Sequence, residues 1–282
     1  YEGLNKTSAA NSGIVQAERK ASGFSPKASL EWRNASGWSA RLSLAQAWRF
    51  PTVGELYGAT TVGAVLANPN PNLRPERARS AELAIERRTL NGKIRISLFN
   101  EVIKDALISQ TGTISALQPN GSNTTVTASF VQNVDETCAR GVELAIDQRE
   151  VLPGLDVSGS VTYSDAITSR NTGFPASVGK VLPSVPRWKA NAVVTWRPSN
   201  RLSLTAAARL SSRNYATLDN IDVFPDTYQG FDKFFVVDLR ATYRLNDHAE
   251  LALGIDNVNN RRYFLFHPFP RRSVTAELHW KL

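Results

Sequence analysis

Arginine and aromatic side chains occur together in several segments of the sequence that lack a regular pattern. The densest segment, residues 263–272, reads YFLFHPFPRR and carries two arginines and four aromatic rings. A guanidinium group binds anionic oxygens through paired hydrogen bonds and also stacks on aromatic rings, so this combination suits a flat, negatively charged molecule. The candidate binding residues of this type are Arg49, Tyr57, Arg213, Tyr215, Tyr263, Phe266, His267, Arg271 and Arg272.

Residue types that carry catalysis are sparse and scattered. The three histidines, His248, His267 and His279, are separated along the chain, Cys138 is the only cysteine, and glycine-rich phosphate loops are missing. The pattern predicts no catalytic site, no bound metal and no cofactor. The formal net charge is +8, but basic residues mix with acidic ones along the chain, which is not the basic stripe of a nucleic-acid-binding protein.

The segments that position these residues alternate apolar and polar side chains. From Trp188 to Trp196 every second residue is apolar or small, and all the others except Val193 are polar. This period of two is typical of a strand with one dry face and one wet face. Similar patterns predict about eleven strands, at 27–33, 38–48, 79–89, 93–107, 140–149, 155–165, 188–196, 202–210, 235–244, 249–256 and 273–282.

Short and long connections alternate between these strands. Tight turns are predicted at 34–37, 90–92, 151–154, 198–200 and 246–247, and long loops at 50–76, 109–135, 166–186, 214–230 and 257–271. Barrels of the bacterial outer membrane place short turns in the periplasm and long loops outside the cell. The sequence therefore predicts an all-β fold, a transmembrane antiparallel β-barrel in the outer membrane.

The six tryptophans agree with this topology, because aromatic rings collect at the two headgroup levels of a bilayer. Four fall at the strand ends beside short turns and two at the opposite ends: Trp32, Trp38, Trp196 and Trp280, then Trp48 and Trp188. The wet face carries charges such as Lys189, Arg240 and Glu277. Such charges suit a hydrated lumen, with the dry face turned to lipid.

An odd number of strands does not close into a bacterial single-chain barrel, which has an even strand number. Open edges within lipid would leave backbone groups unpaired at a high cost. About eleven strands is half of the roughly 22 found in plugged outer-membrane transporters. We expect residues 1–24 to be an outer loop segment at a truncated start and residues 25–282 to be the C-terminal half of the barrel.

Four motifs, in order along the chain, resemble those of the TonB-dependent receptor family. Residues 48–57 read WRFPTVGELY and residues 70–76 read NPNLRPE, like two linked loop motifs of that family. Residues 141–144, GVEL, resemble its Gly-x-Glu strand, and residues 254–263, GIDNVNNRRY, resemble its penultimate strand. The family usually ends in Phe whereas this chain ends in Leu282, and nothing in the sequence matches its plug domain or energy-coupling box.

The resemblance implies a receptor for a ferric siderophore or a similar metal chelate, energised by the TonB complex through an N-terminal region. It also implies contact with outer-membrane lipid and lipopolysaccharide. Two other classes stay open from the residues, a passive porin and a soluble β-sandwich binding module. For residues 263–272, an aromatic girdle whose arginines pair with lipopolysaccharide phosphate is an alternative to ligand binding.

Overall fold

A computed structural model describes residues 19–58, 60–62, 65–117 and 123–281. Its strands are β1 (Lys27–Arg33), β2 (Trp38–Arg49), β3 (Thr60–Val62), β4 (Val65–Asn68), β5 (Glu76–Thr89), β6 (Gly92–Leu117), β7 (Asn123–Leu152), β8 (Leu155–Arg170), β9 (Trp188–Trp196), β10 (Leu202–Ser211), β11 (Phe234–Arg244), β12 (Ala249–Asp256), β13 (Phe264–Leu265), β14 (His267–Pro268) and β15 (Ser273–Trp280). Helix α1 (Val53–Tyr57) and a 3-10 helix (Pro175–Ser177) lie in connections. No helix in the described residues is long and apolar enough to cross a membrane.

Eleven strands form one continuous antiparallel path, which confirms the predicted number. Their order is β1-β2-β5-β6-β7-β8-β9-β10-β11-β12-β15. The short β3–β4 hairpin lies beside this path, where β4 pairs with β7 in parallel. Strands β13 and β14 pair with each other in the last long connection. Within the described residues, β1 and β15 are the two open edges of the sheet.

The register brings the apolar residues of neighbouring strands onto one face. Leu204 lies opposite Trp196 in one neighbour and opposite Ala241 in the other, and Ala241 in turn lies opposite Leu253. In the described part of the chain no second layer covers this face, since Leu253 is 50% and Leu278 65% exposed. A continuous apolar face of this kind marks a surface that lies against another apolar phase. The finding agrees with the predicted lipid-facing side and argues against the β-sandwich alternative.

Tryptophans border the apolar face at both of its ends. Trp48 lies opposite Arg77 at the end where the long connections emerge, and Trp38 lies opposite Arg87 beside a short turn. The guanidinium carbons are 5.5 and 5.4 Å from the two ring centroids. The predicted positions of the tryptophans, on the apolar face and at strand ends, are confirmed. We call the two ends of the sheet the loop end and the turn end.

The other face of the sheet carries charges in pairs of opposite sign. Arg95 contacts Glu82 at 2.6 Å and Arg240 contacts Glu277 at 2.7 Å, in both cases across neighbouring or next-neighbouring strands. All four side chains are more than two-fifths exposed, so the pairs lie in a wet environment where each contributes little to stability. Such a face suits the hydrated interior of a large barrel.

The predicted boundaries are wrong in the two longest loops near the start of the sheet. Residues 109–135 are not a loop, because β6 continues to Leu117 and β7 begins at Asn123. Residues 50–76 contain α1, β3 and β4, and β5 already begins at Glu76. The β6–β7 extension lies beyond the level of Trp48, where neither face has to be apolar. Its alternation of polarity is therefore weak, and its Thr, Ser and Val residues give only a strand propensity.

Residues 1–18 of the predicted outer segment lie outside the described residues. Residues 19–24 are described and cover the loop end of β2. The Phe24 carbonyl accepts hydrogen bonds from Nε2 of Gln46 at 3.0 Å and from Nε1 of Trp48 at 3.2 Å. This segment therefore fixes the indole of Trp48 at the border of the apolar face.

Candidate functional site

The three long connections after β8, β10 and β12 join one another at the loop end. We name them together the loop cap: residues 171–187, 212–233 and 257–272. The Ser184 amide donates to the Tyr215 carbonyl at 2.8 Å, and the Gln229 amide donates to the Phe266 carbonyl at 2.8 Å. Each bond links two different connections, so the cap is held together as one unit.

A small apolar core holds the cap against the extended β6–β7 hairpin. Leu218 is fully buried there. It packs in one cluster with Ala106, Val134 and Phe174. The Leu218 amide also donates to the side-chain oxygen of Gln110 at 3.3 Å. The buried residues of the cap thus contact strands that lie about a hundred residues earlier in the sequence.

The motif at residues 254–263 forms the frame of the last connection. Asn257 is 4% exposed, and its side-chain amide donates to the carbonyls of Arg261 at 2.8 Å and Pro270 at 3.2 Å. Its side-chain oxygen accepts from the Arg261 amide at 2.8 Å. Asn259 donates to the Phe235 carbonyl at 2.7 Å and so covers the end of β11. These asparagines therefore have a structural role, because each satisfies backbone groups that the strands leave unpaired.

Tyr263, one of the candidate binding residues, lies inside this frame. It is 3% exposed, and its ring stacks between Phe234 and Phe269 with centroids at 4.5 and 4.9 Å. Burial raises the pKa of its hydroxyl. Asp232, 2% exposed, accepts from the Phe264 amide at 3.0 Å. Tyr263 thus holds the connection in shape and offers almost no surface to a ligand.

Phe266 and His267 lie on the outside of the cap. Phe266 is 46% exposed and has φ = +68°, a left-handed conformation that few residues other than glycine adopt. Its amide donates to the Gly230 carbonyl at 2.9 Å, so the strained backbone is held at a fixed place. The rings of Phe266 and His267 meet edge to face at 5.0 Å. Arg271 is also exposed, so the cap presents aromatic and cationic groups on a rigid frame.

Arg272 and Arg49, two further candidates, are engaged within the protein. The Arg272 guanidinium donates to the Val258 carbonyl through both Nε and Nη2. Arg49 forms an ion pair of 2.6 Å with Glu55. Their charges therefore have partners before any ligand arrives.

Arg213 is engaged much less completely. Its Nη1 is buried and has no hydrogen-bond partner among the described residues. Oδ1 of the next residue, Asn214, is buried without a partner in the same way. A buried polar group without a partner costs free energy, and an ionised one costs more. Both atoms belong to residues just before the candidate Tyr215 in the sequence, and each can take a polar partner from outside the protein.

Tyr57 is the last residue of α1, which the motif at residues 48–57 builds. The Thr52 hydroxyl accepts from the Glu55 amide at 3.2 Å and the Glu55 carboxylate accepts from the Thr52 amide at 2.7 Å, which is a capping box. Partial burial of Glu55 raises its pKa. The Thr52 amide and the Arg49 guanidinium outweigh that effect, so the net pKa lies below its ordinary value. Within the described residues, Arg49 and Tyr57 share no hydrogen bond, ion pair or ring contact with the loop cap.

The motif at residues 70–76 fastens β5 to the β6–β7 hairpin. Arg74 donates to the Asp105 carboxylate at 2.6 Å, and the Arg74 amide donates to the side-chain oxygen of Asn133 at 2.8 Å. Asn133 in turn donates to the carbonyls of Arg74 and Asp105 at 2.9 and 2.8 Å. Leu73 beside them is 1% exposed. Sequence reasoning missed this clamp, because its members are 28 to 59 residues apart and no local pattern joins them.

The remaining motif, residues 141–144, begins with a glycine that the packing of the sheet requires. A side-chain carbon at this position would lie 2.0 Å from the Tyr163 carbonyl oxygen and 2.6 Å from the ring of Phe99, which covers the glycine. Only glycine leaves room for this close approach of β6, β7 and β8. Glu143 accepts from the Thr162 hydroxyl at 3.1 Å on the polar face. The motif thus serves sheet packing.

The nine candidates therefore fall into two groups, Arg49 and Tyr57 beside α1 and the other seven in the loop cap. Among the described residues, no three His, Cys, Asp or Glu side chains are grouped so that they could hold a metal ion. In the cap, the exposed Phe266, His267 and Arg271 and the partly unpaired Arg213 are the groups that can contact a ligand. Such guanidinium groups and rings have the chemistry to hydrogen-bond anionic oxygens and to contact aromatic groups.

Proteins with related sequences are receptors. A family profile described as TonB dependent receptor-like, beta-barrel matches residues 1–258. The chain is 26% identical over 141 residues to a probable TonB-dependent siderophore receptor, PiuA, of Acinetobacter baumannii, an alignment that covers 47% of this chain and 18% of that protein. It is 26% identical over 138 residues to the ferric enterobactin receptor of Pseudomonas aeruginosa, covering 47% and 17%. The matched regions thus amount to less than a fifth of these curated relatives.

Solved structures share the fold. The siderophore receptor PiuA of A. baumannii superimposes with a TM-score of 0.63 at 21% identity, over 89% of this chain and 33% of that one. A variant of the ferric enterobactin receptor PfeA of P. aeruginosa in complex with enterobactin gives 0.65 at 20% identity, over 91% and 40%. A protein described as the copper transporter OprC gives 0.64 at 18% identity, over 90% and 40%.

The sheet agrees with these matches in its fold class and in the polarity of its two faces. Its path of eleven strands is antiparallel and its apolar face lies open, and the chain aligns with 33 to 40% of the solved receptor chains. The family profile covers residues 1–258 of 282. The chain therefore belongs to the TonB-dependent receptor family and forms part of the β-barrel of an outer-membrane receptor.

Proposed function

We propose that this chain belongs to a receptor that binds a ferric siderophore or a similar metal chelate at the loop cap and takes it up with energy supplied through TonB. Family membership and the names of the relatives support the receptor class and the chelate. The fold alone does not identify the transported ligand, because a protein described as a copper transporter has the same fold. The choice of ligand class depends on the chemistry of the cap.

The observation that carries the proposal is the unpaired guanidinium nitrogen of Arg213. The Arg272 guanidinium of the same cap, by contrast, donates to the Val258 carbonyl. A buried nitrogen that lacks a hydrogen-bond partner costs stability, so the burial of Nη1 is explained if an anionic ligand supplies the missing oxygen. Phe266 and His267 add exposed rings that suit the flat, aromatic groups of many iron chelates.

A passive porin is the other membrane class that the sequence left open. It would share the sheet and its apolar face, but it would have no need for an unpaired cation in a rigid cap. The family profile is that of receptors, and no feature of the described residues favours the porin.

The test replaces Arg213 by Gln in the full-length receptor and titrates ferric enterobactin, the ligand named for a relative. We expect affinity to fall by about tenfold or more, because a charge-assisted hydrogen bond is lost. The cap should keep its stability or gain some, since an unpaired charge is removed. Quenching of tryptophan fluorescence reports binding, and protease resistance of residues 212–233 reports the cap.

Arg201→Gln is the matched control, because it makes the same charge change in the short turn between β9 and β10. It should leave chelate affinity unchanged. Equal affinity of Arg213→Gln and the unaltered receptor would remove Arg213 from the binding site. Uptake of ⁵⁵Fe-labelled chelate by cells that lack TonB is a separate test, and uptake that persists there would reject the energised mechanism in favour of a passive one.

A further inference from the structure

A cationic groove lies on the apolar side of the sheet, outside the lumen. Arg77 and Arg79 of β5 alternate with the polar-face residues of that strand, so they lie on the same face as Leu83. Lys104 of β6 lies directly opposite Arg77. The groove has a volume of about 580 Å³ and also contacts Gln46 and Leu44 of β2. We name it the rim groove, because it lies at the loop end of the apolar face.

Four cationic residues line the rim groove, and three of them, Arg77, Arg79 and Lys104, have no acidic partner among the described residues. Arg77 contacts the ring of Trp48 at 5.5 Å, and Nε of Arg79 donates to the side-chain oxygen of Gln46 at 2.9 Å. Like charges directly opposite each other in a sheet are destabilising, and Arg77 and Lys104 occupy such a pair of positions. The pairs on the polar face, by contrast, combine opposite signs. An external anion between Arg77, Arg79 and Lys104 would remove the repulsion.

The position of the groove decides which anion can reach it. Trp48 beside Arg77 marks the outer border of the apolar face, and the exposed side chains of Leu44 and Leu98 follow one or more steps nearer the turn end. A molecule bound here has cations around its head and apolar side chains along the rest of its length. Soluble acids would leave the apolar part of the groove unused. A membrane lipid with an anionic head would contact both parts.

Guanidinium groups form paired hydrogen bonds with phosphate oxygens, and phosphate is the common multiply charged anion of a membrane surface. Three nearby cations suit its multiple charge. We propose that the rim groove binds a phosphate group of a phosphorylated glycolipid of the outer leaflet, of the lipid A type. The exposed Asn100, opposite Ala81 and two residues nearer the turn end than Arg79, supplies a further hydrogen-bonding group. Such a lipid would fix the barrel in its membrane and complete the charge balance of β5 and β6. The assignment depends on the membrane location of the barrel and not on the cargo of the receptor.

The experiment compares the full-length receptor with the variant Arg77→Gln/Arg79→Gln/Lys104→Gln. Both are placed in nanodiscs of phosphatidylcholine with a small fraction of lipid A that carries its phosphates, and protein-bound lipid A is counted by native mass spectrometry. We expect bound lipid A to fall by about tenfold or more in the triple variant. Lipid A without phosphates should bind the unaltered receptor no better than it binds the variant.

Arg87→Gln is the matched control for the single variant Arg79→Gln. Arg87 lies on the same strand and the same face, but at the turn end beside Trp38. Arg79→Gln should lower lipid A binding and Arg87→Gln should not, and this comparison stands even if the triple variant fails to fold. Ferric enterobactin affinity should be unchanged in Arg79→Gln, which separates this proposal from that for the loop cap.

Three results would overturn the assignment. The first is lipid A binding that survives in both the triple and the single rim variants. The second is equal binding of lipid A with and without phosphates, which would leave apolar contact alone as the cause. The third is displacement of lipid A by millimolar inorganic phosphate, because a free ion would then satisfy the groove without its apolar part.

Discussion

The path of eleven strands, which we call the wall, differs from the loop cap in how its side chains pack. On the apolar face of the wall, Leu204, Leu253 and Leu278 are more than a third exposed, and none of them depends on one particular buried neighbour. In the cap, Leu218 is fully buried and Asn257 is nearly so, and their partners come from distant parts of the chain. The residue at a wall position therefore only has to be apolar, whereas the residue at a buried cap position has to fit particular neighbours.

The comparison shows where stability and function can be separated. A lipid-facing leucine can be exchanged for another apolar residue because lipid adapts to any shape. A cap residue cannot, because a protein interior does not refill a vacated volume. The cap in turn holds Phe266 in its left-handed conformation through the hydrogen bond from its amide to the Gly230 carbonyl. The proposed ligand contacts therefore lie in the part of the molecule that should tolerate substitution least.

The largest effect on stability is expected when a leucine is truncated to alanine in the cap, compared with the same substitution in the wall. Leu218→Ala should destabilise the cap by about 2–5 kcal/mol, because a fully buried leucine leaves a cavity. Leu210→Ala on the wall should have a much smaller effect, since Leu210 is 38% exposed and lipid fills the space. Protease resistance of residues 212–233, measured against temperature for both variants, gives the difference. Similar losses for the two would show that the cap is packed no more specifically than the wall.

A second, slightly smaller loss of stability is expected from a charged substitution, and here the wall is the more sensitive region. Leu144→Arg should cost about 2–4 kcal/mol by placing a charge on the lipid-facing side of β7. Ser158→Arg is the control, since Ser158 lies on the polar face opposite Asp147 in the neighbouring strand. Urea-dependent folding into lipid vesicles measures both. A penalty for Ser158→Arg as large as that for Leu144→Arg would contradict the assignment of the two faces.

The wall was predictable from the sequence because one physical rule determines it. Lipid on one side and water on the other require a period of two, and residues such as Leu204 and Val237 follow it without reference to the rest of the fold. The β6–β7 extension was missed because both of its faces lie above the membrane, so no such requirement acts on residues 109–117. The short turns were predicted correctly for a similar reason, since residues such as Gly37, with φ = +85°, leave a local signature.

The candidate site was predictable only by residue type. The sequence placed seven of nine candidates in segments that the structure joins into the cap, but it gave no means to distinguish an exposed ring from a buried one. Tyr263 and Phe266 are three residues apart, yet they are 3% and 46% exposed. The rim groove had a usable signal. Arg79 alternates in phase with Leu83 and therefore had to lie on the apolar side, where an arginine needs an explanation.

The smallest expected effect concerns the segment that connects the wall to its first long excursion, residues 49–58. The pKa of Glu55 is lowered below its ordinary value, so its ionised form stabilises the folded state. That contribution is complete at pH values above the ordinary pKa of about 4.5 and is lost as pH falls through the lower, folded-state pKa. The effect should be modest, because the Arg49 side chain is 44% exposed and water screens the pair.

Hydrogen exchange of residues 49–58, corrected for the intrinsic rate at each pH, measures this contribution. Protection should decrease as pH falls below about 4.5 in the unaltered protein, because protonated Glu55 no longer accepts from the Thr52 amide and Arg49. In Glu55→Gln the protection should be lower at pH 7 and nearly independent of pH over the same interval. The strand β8, which lies in the wall, serves as the internal control and should show no comparable change. Parallel pH profiles for the two proteins would assign the acid sensitivity of this segment to another group and remove the capping box as its cause.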